Sequence, residues 1–473
     1  MARESTRRAG DAPGQQRSAH IGLAGRRIGP LLVASVCLSA APADVAARSL
    51  VYPPWKHCYG LHRVTQTHLT LRAGFQYRFD DPQGVAAVKL AAEDDSTTRR
   101  DDDELTVFGV NSGQHMIIYN TSLTAIRFYG SEGDGIAEFR NPHGIAADRA
   151  GNVVVADTGN DRLHLLRYAD DRLRHVRFIV GPFADEPLRR PTGVALEAGE
   201  IYVCDPEHAR VLVLGLDGNL RRVLAPERNG VRVLQQPFGV AAIRSQSSHN
   251  YFGADFVVVT DSSRARVTRL AHDGRILDQR RVGDLGRQAR EFGYAAIDYH
   301  ANVYVSDRSG RLHKFDRDLR YLLSVGRLGN GDYEFDEPRG IGLYRRFGQI
   351  FVAERAGAQY FWTGTDVFSP QLVDLERDAQ GVWHAMARYF LTEYARVKLE
   401  LVDAHERPIA ELQGPTWQSV GPIQTPVSFR LPDTAGNLRL RVEAIPAYSA
   451  RRYGIVQALG PPMAGWDARR SEP

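Results

Sequence analysis

A repeated segment constrains the fold of this chain more than any other feature of its sequence. A short motif, Pro-x-Gly followed by an apolar residue, occurs five times, and a degenerate copy fills the remaining gap. The six copies start at Pro82, Pro142, Pro191, Pro237, Phe292 and Pro338. Each copy is followed by an apolar stretch with a polar end, and the ends are spaced 46 to 56 residues apart. These polar ends are Asn111, Asp157, Asp205, Asp261, Asp307 and Glu354. A period of this length indicates one structural unit used six times.

Each unit has room for four short β-strands and lacks helical periodicity. In the second unit, four apolar stretches separated by turn residues occupy residues 144–181. Four-stranded units of this size are typical of β-propellers. Closing the units into a ring buries strand edges that an open array would expose. We therefore predict an all-β fold with a six-bladed β-propeller over residues 67–369.

The second unit also carries a family resemblance. Residues 141–162 read NPHGIAADRAGNVVVADTGNDR, which joins the motif to a Gly-Asn-Val-Val-Val-Ala-Asp strand and an Arg-Leu pair. In these features the chain resembles the NHL-repeat family of six-bladed β-propellers. The resemblance implies a closed ring of blades. Residues 67–74 precede the first motif as residues 123–130 precede the second, so we expect them to form the outer strand that completes the sixth blade.

Residues 370–458 lack the repeat. They alternate apolar and polar residues at period two, as half-buried strands do. This segment resembles the immunoglobulin-like module of flagellar hook-capping proteins, which implies a small β-sandwich domain after the propeller. The last residues, 459–473, are expected to be a disordered tail.

The N-terminal residues 1–47 have the pattern of a leader. Residues 28–43 form an uncharged apolar run directly after Arg26 and Arg27, which is too short to span a bilayer and typical of a signal-peptide core. Cleavage before a residue between 44 and 49 would leave an N-terminal segment, 48–66, and a periplasmic or secreted protein without a transmembrane segment. Export permits a disulfide, but the state of Cys58 and Cys204 stays open.

Charge and motifs exclude several classes of function. The formal net charge is +4, and the leader before Ala43 carries all of it, so the remaining chain is neutral. A nucleic-acid-binding domain usually has a basic face, and we therefore expect no nucleic-acid partner. The sequence contains no P-loop, GxSxG, HExxH, CxxC or EF-hand motif, and no cofactor is expected.

The polar ends of the apolar strands recur with an arginine a few residues later. These arginines are Arg162, Arg210, Arg266 and Arg311. Since nearly the same pair occurs in four units, a structural role is a better explanation for it than recognition of one ligand. We predict that the six polar ends and the four arginines form a structural ring at one mouth of the channel.

The middle residue of the motif differs from unit to unit and is therefore more informative about binding. The six residues are Gln83, His143, Thr192, Phe238, Tyr294 and Arg339. Aromatic, cationic and hydrogen-bonding groups around a concavity suit a ligand site. We predict that they bind a ligand, and that the protein is a non-catalytic binding or scaffold protein with a protein, peptide or glycan partner at the cell envelope.

A metal-dependent hydrolase or lyase is the alternative. Propellers similar to this family include lactonases and the peptidyl-hydroxyglycine lyase, which holds zinc through three histidines. Only His143 stands at a matching position, so no metal site is predicted. Two insertions, the acid-rich residues 93–104 and residues 245–253, are expected on the face opposite the polar ring.

Overall fold

The computed structural model describes residues 45–58, 61–94, 105–121, 125–261, 266–431, 438–447, 450–451 and 453–463. The predicted leader up to residue 44, residues 95–104 of the acid-rich insertion and the tail from residue 464 lie outside the described residues. The described residues all belong to one compact unit, Asp44–Pro473. No helix within this described part is both long and apolar enough to cross a membrane.

Short elements precede the first repeat. They are β1 (Val45–Ala47), β2 (Leu50–Val51), α1 (Trp55–Cys58), β3 (Arg63–Thr65) and α2 (Gln66–Ala73). Turns of 3₁₀ helix occur further along the chain, at Ser112–Gln114, Thr158–Asn160, Pro206–His208 and Val282–Gln288.

Five sheets follow, each made of four consecutive antiparallel strands. Sheet 1 contains β4 (Pro82–Val88), β5 (Thr106–Asn111), β6 (Met116–Thr121) and β7 (Ala125–Tyr129). After β8 (Ser131–Glu132) and β9 (Glu138–Phe139), sheet 2 contains β10 (Ile145–Ala147), β11 (Asn152–Asp157), β12 (Arg162–Ala169) and β13 (Arg172–Ile179). Sheet 3 contains β14 (Val194–Glu197), β15 (Glu200–Asp205), β16 (Arg210–Gly215) and β17 (Leu220–Leu224).

The same order continues in the next sheets. After β18 (Glu227–Arg228) and β19 (Val231–Arg232), sheet 4 contains β20 (Pro237–Ile243), β21 (Phe256–Asp261), β22 (Arg266–Leu270) and β23 (Ile276–Arg281). Sheet 5 contains β24 (Phe292–Ile297), β25 (Val303–Asp307), β26 (Arg311–Phe315) and β27 (Tyr321–Val325). After β28 (Arg327–Leu328) and β29 (Glu334–Phe335), sheet 6 contains β30 (Ile341–Tyr344), β31 (Gln349–Glu354) and β32 (Gly357–Thr363), with β2 and β3 both paired to β32.

The first strands of the six sheets contact one another in cyclic order, and sheet 6 contacts sheet 1. Backbone N–H groups of the motif glycines donate to the middle residue of the next motif at four of these junctions. The bonds run from Gly84 to His143, from Gly144 to Thr192, from Gly193 to Phe238 and from Gly340 to Gln83. A Cβ on Gly144 would lie 2.3 Å from Thr192 O, so only glycine allows this approach. The predicted all-β, propeller-type fold is confirmed.

The prediction that residues 67–74 complete the last sheet is wrong, because they form α2. His68 Nδ1 accepts a hydrogen bond from the Thr65 backbone N–H at the start of this helix. The helix buries Leu69 and leaves Leu71 79% exposed, whereas a strand would place both on one face. The free edge of β32 is instead covered by β2 and β3, from the segment expected to precede the propeller.

The C-terminal residues form two further sheets. Sheet 7 pairs β33 (Asp366–Arg377) with β1 and with β34 (Trp383–Leu391), which pairs with β37 (Gly421–Phe429). Sheet 8 has the order β36 (Pro408–Gln418), β35 (Ala395–Val402), β38 (Arg439–Pro446) and β39 (Val456–Leu459). Buried side chains of both sheets, such as Tyr389 and Leu399, share one apolar core. This domain begins at Asp366, slightly before the predicted boundary at residue 370, and its immunoglobulin-like character stays a prediction.

A buried charge cluster joins this domain to sheet 5. The Nζ atom of Lys314 in β26 lies 2.8 Å from Asp366 Oδ2 and 2.5 Å from Glu393 Oε1, and all three side chains are fully buried. Asp366 also accepts a hydrogen bond from Ser49 Oγ at 2.6 Å. Asn302 Nδ2 donates to Glu393 Oε1 at 3.2 Å. The cluster therefore connects segments that are far apart in the chain.

Burial and the neighbouring carboxylates perturb the charges in this cluster. Burial, together with the negative charges of Asp366 and Asp298, raises the pKa of Glu393 to about 8, although the ammonium group of Lys314 opposes this shift. For Lys314, burial disfavours the charged form, but the carboxylates outweigh burial and raise its pKa above the ordinary value. Glu393 therefore holds a proton at neutral pH while Lys314 stays charged.

We expect the stability advantage of Glu393→Gln over the natural protein to grow between about pH 5 and pH 8. In this window the unfolded state has lost the proton of Glu393 and the folded state has kept it, so a rise in pH favours unfolding. The effect is at most about 1.4 kcal/mol per pH unit. Denaturant unfolding at stepped pH measures it, and Glu411→Gln, at an exposed position of the same domain, is the control. Parallel curves for the natural protein and Glu393→Gln would contradict the assignment.

Candidate functional site

The channel between the first strands has two different ends. We call the end at which the Pro-x-Gly motifs lie the anchor end. We call the opposite end, formed by the turns between first and second strands, the loop end. Polar residues gather at both ends, and they serve different purposes.

The predicted polar ring lies buried at the anchor end. In sheet 3, Asp205 accepts hydrogen bonds from Arg210 Nε at 2.8 Å and from the Arg189 backbone N–H at 3.1 Å. In sheet 2, Asp157 lies 2.7 Å from Arg162 Nε. Each acid thereby fixes the arginine of the adjacent third strand. Asp205 also fixes the segment that enters its own first strand.

The partners of the ring residues change in sheets 1 and 6. In sheet 1, Asn111 replaces the acid, and the residue opposite it in register is Met116 instead of arginine. In sheet 6, Glu354 pairs with Arg63 of β3 at 2.9 Å. In sheet 1 the neutral Asn111 therefore lies opposite the neutral Met116. In sheet 6 the acid Glu354 still pairs with a cation, although Arg63 comes from a distant part of the chain.

Sheets 4 and 5 complete the ring. Asp261 is opposite Arg266 in register, and Asp307 is opposite Arg311. Asp307 Oδ2 lies 3.0 Å from His313 Nε2. Hydrogen bonds from His313 and from backbone N–H groups outweigh burial and lower the pKa of Asp307. The sequence did not identify His313, because it lies beyond the position of the repeated arginine.

Four of the six predicted ligand-binding residues meet across the channel at the anchor end. The Tyr294 hydroxyl donates a hydrogen bond to Gln83 Oε1 at 3.2 Å. The Tyr294 ring is 5.1 Å from the Phe238 ring, which is 6.3 Å from the His143 ring. Burial lowers the pKa of His143 and raises that of Tyr294, so both side chains are neutral at pH 7. Gln83, Phe238 and Tyr294 form a layer of contacting side chains across the axis, which we call the plug.

The other two predicted residues, Thr192 and Arg339, bind backbone of neighbouring sheets. Thr192 Oγ1 donates to Phe238 O at 3.0 Å. Arg339 forms an ion pair with Asp81 and donates to Pro82 O at 3.4 Å. Both side chains are mostly buried. That these six residues bind a ligand stays a prediction.

The sequence analysis assigned Tyr294 to the middle position of its motif, but the strand register places it one residue further along. Phe292 pairs with Asp307 as Pro237 pairs with Asp261, which makes Gly293 the middle residue and places Tyr294 at the position of the motif glycine. The two residues are therefore exchanged in sheet 5. This exchange brings a bulky ring to the axis where the other five sheets have glycine, and it creates the plug.

A cavity of about 470 Å³ lies at the loop end. Its wall consists of the six first strands from the residue after the motif glycine onwards, with small side chains at one equivalent position in each strand. These side chains are Ala86, Ala146, Ala195, Ala241, Ala296 and Gly342. Part of the predicted insertion also lines it, through Ser247, Ser248 and His249. This volume falls within the usual range for small-molecule sites.

Charged groups form the rim of the cavity. The Asp94 carboxylate lies 2.6 Å from Arg149, 3.0 Å from Arg346 and 3.5 Å from Lys89. Despite burial, these cations lower the pKa of Asp94. Burial and the arginines around the rim also lower the pKa of His249, which favours the neutral imidazole.

Arg345 bridges the rim from sheet 6 to three other sheets. Its guanidinium lies 2.8 Å from Glu197 and donates to the backbone oxygens of Ala242 at 2.7 Å and Ile297 at 3.1 Å. Ser247 also donates to Glu197. These bonds hold the loop end in one arrangement. The sequence offered no signal for this role, because the pair Arg345-Arg346 is not part of the repeat.

A second concavity, of about 480 Å³, lies at the anchor end between sheets 2 and 3. Its lining residues are Thr158, Gly159, Asp161, Arg189, Arg190, Glu207 and His208. The charges pair with each other, Arg189 with Asp161 at 3.3 Å and Arg190 with Glu207 at 3.9 Å. The described residues contain no group of three or more His, Cys, Asp or Glu placed to hold a metal ion.

Fold and repeat together define a propeller-type protein that contains an NHL repeat. Residues 139–164 match the NHL repeat family model. No curated protein sequence matches the chain.

Solved structures similar to this chain include proteins with different activities. Virginiamycin B lyase from Staphylococcus aureus is 12% identical in sequence to this chain, with a TM-score of 0.39. The match covers 54% of this chain and 76% of the lyase chain. Regucalcin from Agrobacterium tumefaciens, a calcium-binding protein, is 10% identical, with a TM-score of 0.41. The match covers 61% of this chain and 92% of the regucalcin chain. Hydrazine synthase from Kuenenia stuttgartiensis is 10% identical, with a TM-score of 0.37. The match covers 60% of this chain and 73% of the hydrazine synthase chain.

Proposed function

We propose that this protein is an exported, non-catalytic binding protein that takes its ligand in the loop-end cavity. The single observation behind the proposal is a cavity of about 470 Å³ that has the plug on one side and a polar rim on the other. A cavity of this size accommodates a small molecule or the protruding group of a peptide or glycan. The proposal of export has separate support, the leader pattern of residues 28–43.

The chemistry of the cavity favours binding over catalysis. Its wall is built largely from alanine, valine and isoleucine, which neither transfer protons nor attack a substrate. The charged rim groups around Asp94 and Glu197 are engaged in ion pairs that fix their positions. Preorganised polar groups around a mostly aliphatic wall suit recognition by shape and hydrogen bonding.

In this proposal the anchor-end residues position the ligand site without contacting the ligand. The side chains of Tyr294 and Gln83 meet across the axis, and the cavity wall starts one or two residues further along their strands, at Ala295 after Tyr294 and at Val85 after Gln83. The ligand site proposed here therefore lies on the opposite side of the plug from the mouth at which the sequence analysis predicted it.

The test is a bulky substitution at the rim. Ser248 is exposed and lines the cavity, so Ser248→Trp should obstruct entry while the fold stays intact. The purified protein is incubated with an envelope extract and washed, and retained compounds are identified by mass spectrometry. We expect Ser248→Trp to reduce retention of the bound compound about tenfold or more.

The matched control is Ser131→Trp, which makes the same change at an exposed serine of the anchor end. It should retain the compound as the natural protein does. Equal retention by Ser248→Trp would show that the cavity is not the site. Conversion of the compound, together with a stoichiometric metal in the purified protein, would favour a metal-dependent hydrolase or lyase.

A further inference from the structure

Six aromatic rings cluster where the propeller meets the C-terminal domain. We call this cluster the aromatic patch. It consists of Tyr251, Phe252, Tyr299, His300, Tyr394 and Trp417. The Tyr251 ring is its centre, with ring distances of 4.8 Å to Phe252, 5.3 Å to His300 and 5.9 Å to Tyr394. Three of the rings are substantially exposed: 50% for Trp417, 37% for Tyr251 and 36% for Phe252. Large exposed apolar groups in one place mark an interaction site.

The C-terminal domain contributes a flat part of this patch. The Trp417 and Tyr394 rings are stacked at 5.0 Å with an angle of 8° between their planes. Trp417 lies in β36 and Tyr394 directly before β35, and the two strands pair at Ala395 and Gln418. Because Tyr394 supports the indole, Trp417 offers its surface to a ligand with little loss of side-chain freedom on binding.

The propeller contributes the other part through an insertion that the repeat does not require. Residues 245–253 lengthen the unit of sheet 4, and they carry both Tyr251 and Phe252. The same insertion lines the loop-end cavity through Ser247, Ser248 and His249. A backbone hydrogen bond of 2.9 Å from Tyr251 N to Tyr299 O holds the insertion against sheet 5. Cavity and patch therefore adjoin along one short segment.

Polar groups lie next to the rings. The guanidinium carbon of Arg317 is 3.9 Å from the centre of the Phe252 ring. Asp318 is 46% exposed and pairs with Arg269 at 3.2 Å. The patch thus combines flat apolar surfaces with planar charged groups that exchange hydrogen bonds with hydroxyl groups.

We infer that the aromatic patch is a subsite for carbohydrate, so that the ligand is a glycan chain with one end in the cavity and further sugar units on Trp417 and Tyr251. The inference rests on the proposed binding function and specifies its ligand. One face of a pyranose ring carries C–H bonds with partial positive charge, which pack against the negative face of an aromatic ring. The hydroxyl groups at its edge need hydrogen-bond partners, which Arg317 and Asp318 supply. An extended chain also fits a patch that adjoins the cavity.

The test uses soluble cello-oligosaccharides and chito-oligosaccharides as probes, with binding measured by calorimetry and by tryptophan fluorescence. We expect Trp417→Ala and Tyr251→Ala each to weaken binding about tenfold or more, and Trp417→Phe to retain most of it. The control is Trp55→Ala, since Trp55 is 68% exposed and belongs to α1 instead of the patch. Melting curves check that all variants fold.

The outcomes separate this inference from the proposed function. If Ser248→Trp abolishes saccharide binding and Trp417→Ala leaves it unchanged, the result supports the cavity as the ligand site and overturns the patch as a subsite. The reverse result supports the patch and overturns the cavity. Failure of both probe families to bind at millimolar concentration overturns the carbohydrate inference. Trp417-dependent binding of a purified protein or of single-stranded DNA in place of saccharide also overturns it.

Discussion

Replacing Lys314 by methionine should lower the free energy of unfolding by about 3–5 kcal/mol at neutral pH. Lys314 is the cation in the fully buried cluster with Asp366 and Glu393. Its removal leaves the Asp366 carboxylate in a low-dielectric site without the charge that stabilises it. Chemical denaturation of the full chain measures the change.

Two variants test whether charge causes this loss. Lys398→Met removes a partly exposed lysine that pairs with Glu400 in the C-terminal domain, and it should cost less than about 1 kcal/mol. Adding Asp366→Asn to Lys314→Met should recover part of the loss, because the uncompensated charge is then removed. A loss below 1 kcal/mol for Lys314→Met would mean that the cluster contributes little to holding the domains together.

Asp205→Asn should lower the free energy of unfolding by about 3 kcal/mol or more. Asparagine still accepts the hydrogen bond from the Arg189 backbone N–H, but it removes the buried carboxylate from the Arg210 guanidinium. Arg210 then keeps only Glu186, a half-exposed carboxylate 3.2 Å from its Nη1. The exposed pair Asp217 and Arg221 of the same sheet is the comparison, and Asp217→Asn should cost less than about 1 kcal/mol.

The chain itself contains the compensating pair. Sheet 1 places Asn111 opposite Met116 where sheet 3 places Asp205 opposite Arg210. The double variant Asp205→Asn/Arg210→Met should therefore recover much of the stability lost by Asp205→Asn. If the double variant is less stable than the single one, the ring depends on the arginine for more than charge balance, for example through its bond to Phe183 O.

Much of the fold could be predicted from the sequence because its contacts are local in the chain. In sheets 1 to 5 every strand pairs with the strand next to it in sequence, so apolar stretches separated by turn residues indicate the sheets directly. The position of the polar ring was also predictable, since each of its six polar ends terminates a second strand. Its partners His313 in sheet 5 and Arg63 in sheet 6 were not, because they lie off the repeated position.

The candidate site was predicted less well, for reasons of register. A one-residue exchange places Tyr294 at the glycine position, and only the pairing of Phe292 with Asp307 reveals it. The cavity at the loop end depends on Arg345 and on the insertion 245–253, neither of which belongs to the repeat. Which end of a channel is filled depends on side-chain size at a few positions, and a repeat motif leaves this undetermined.

The sequence by itself determined the all-β class, the repeated sheets and the polar residue at the end of each second strand. Tertiary structure alone decided which segment covers the edge of β32. The sequence analysis predicted residues 67–74 there, but β2 and β3 occupy this edge. Tertiary structure also decided that Ser49, Lys314, Asp366 and Glu393 form one cluster. Strand formation depends on residues a few positions apart in the chain. Edge pairing and the pairing of buried charges depend instead on the free energies of contacts between distant segments, which a local sequence pattern does not predict.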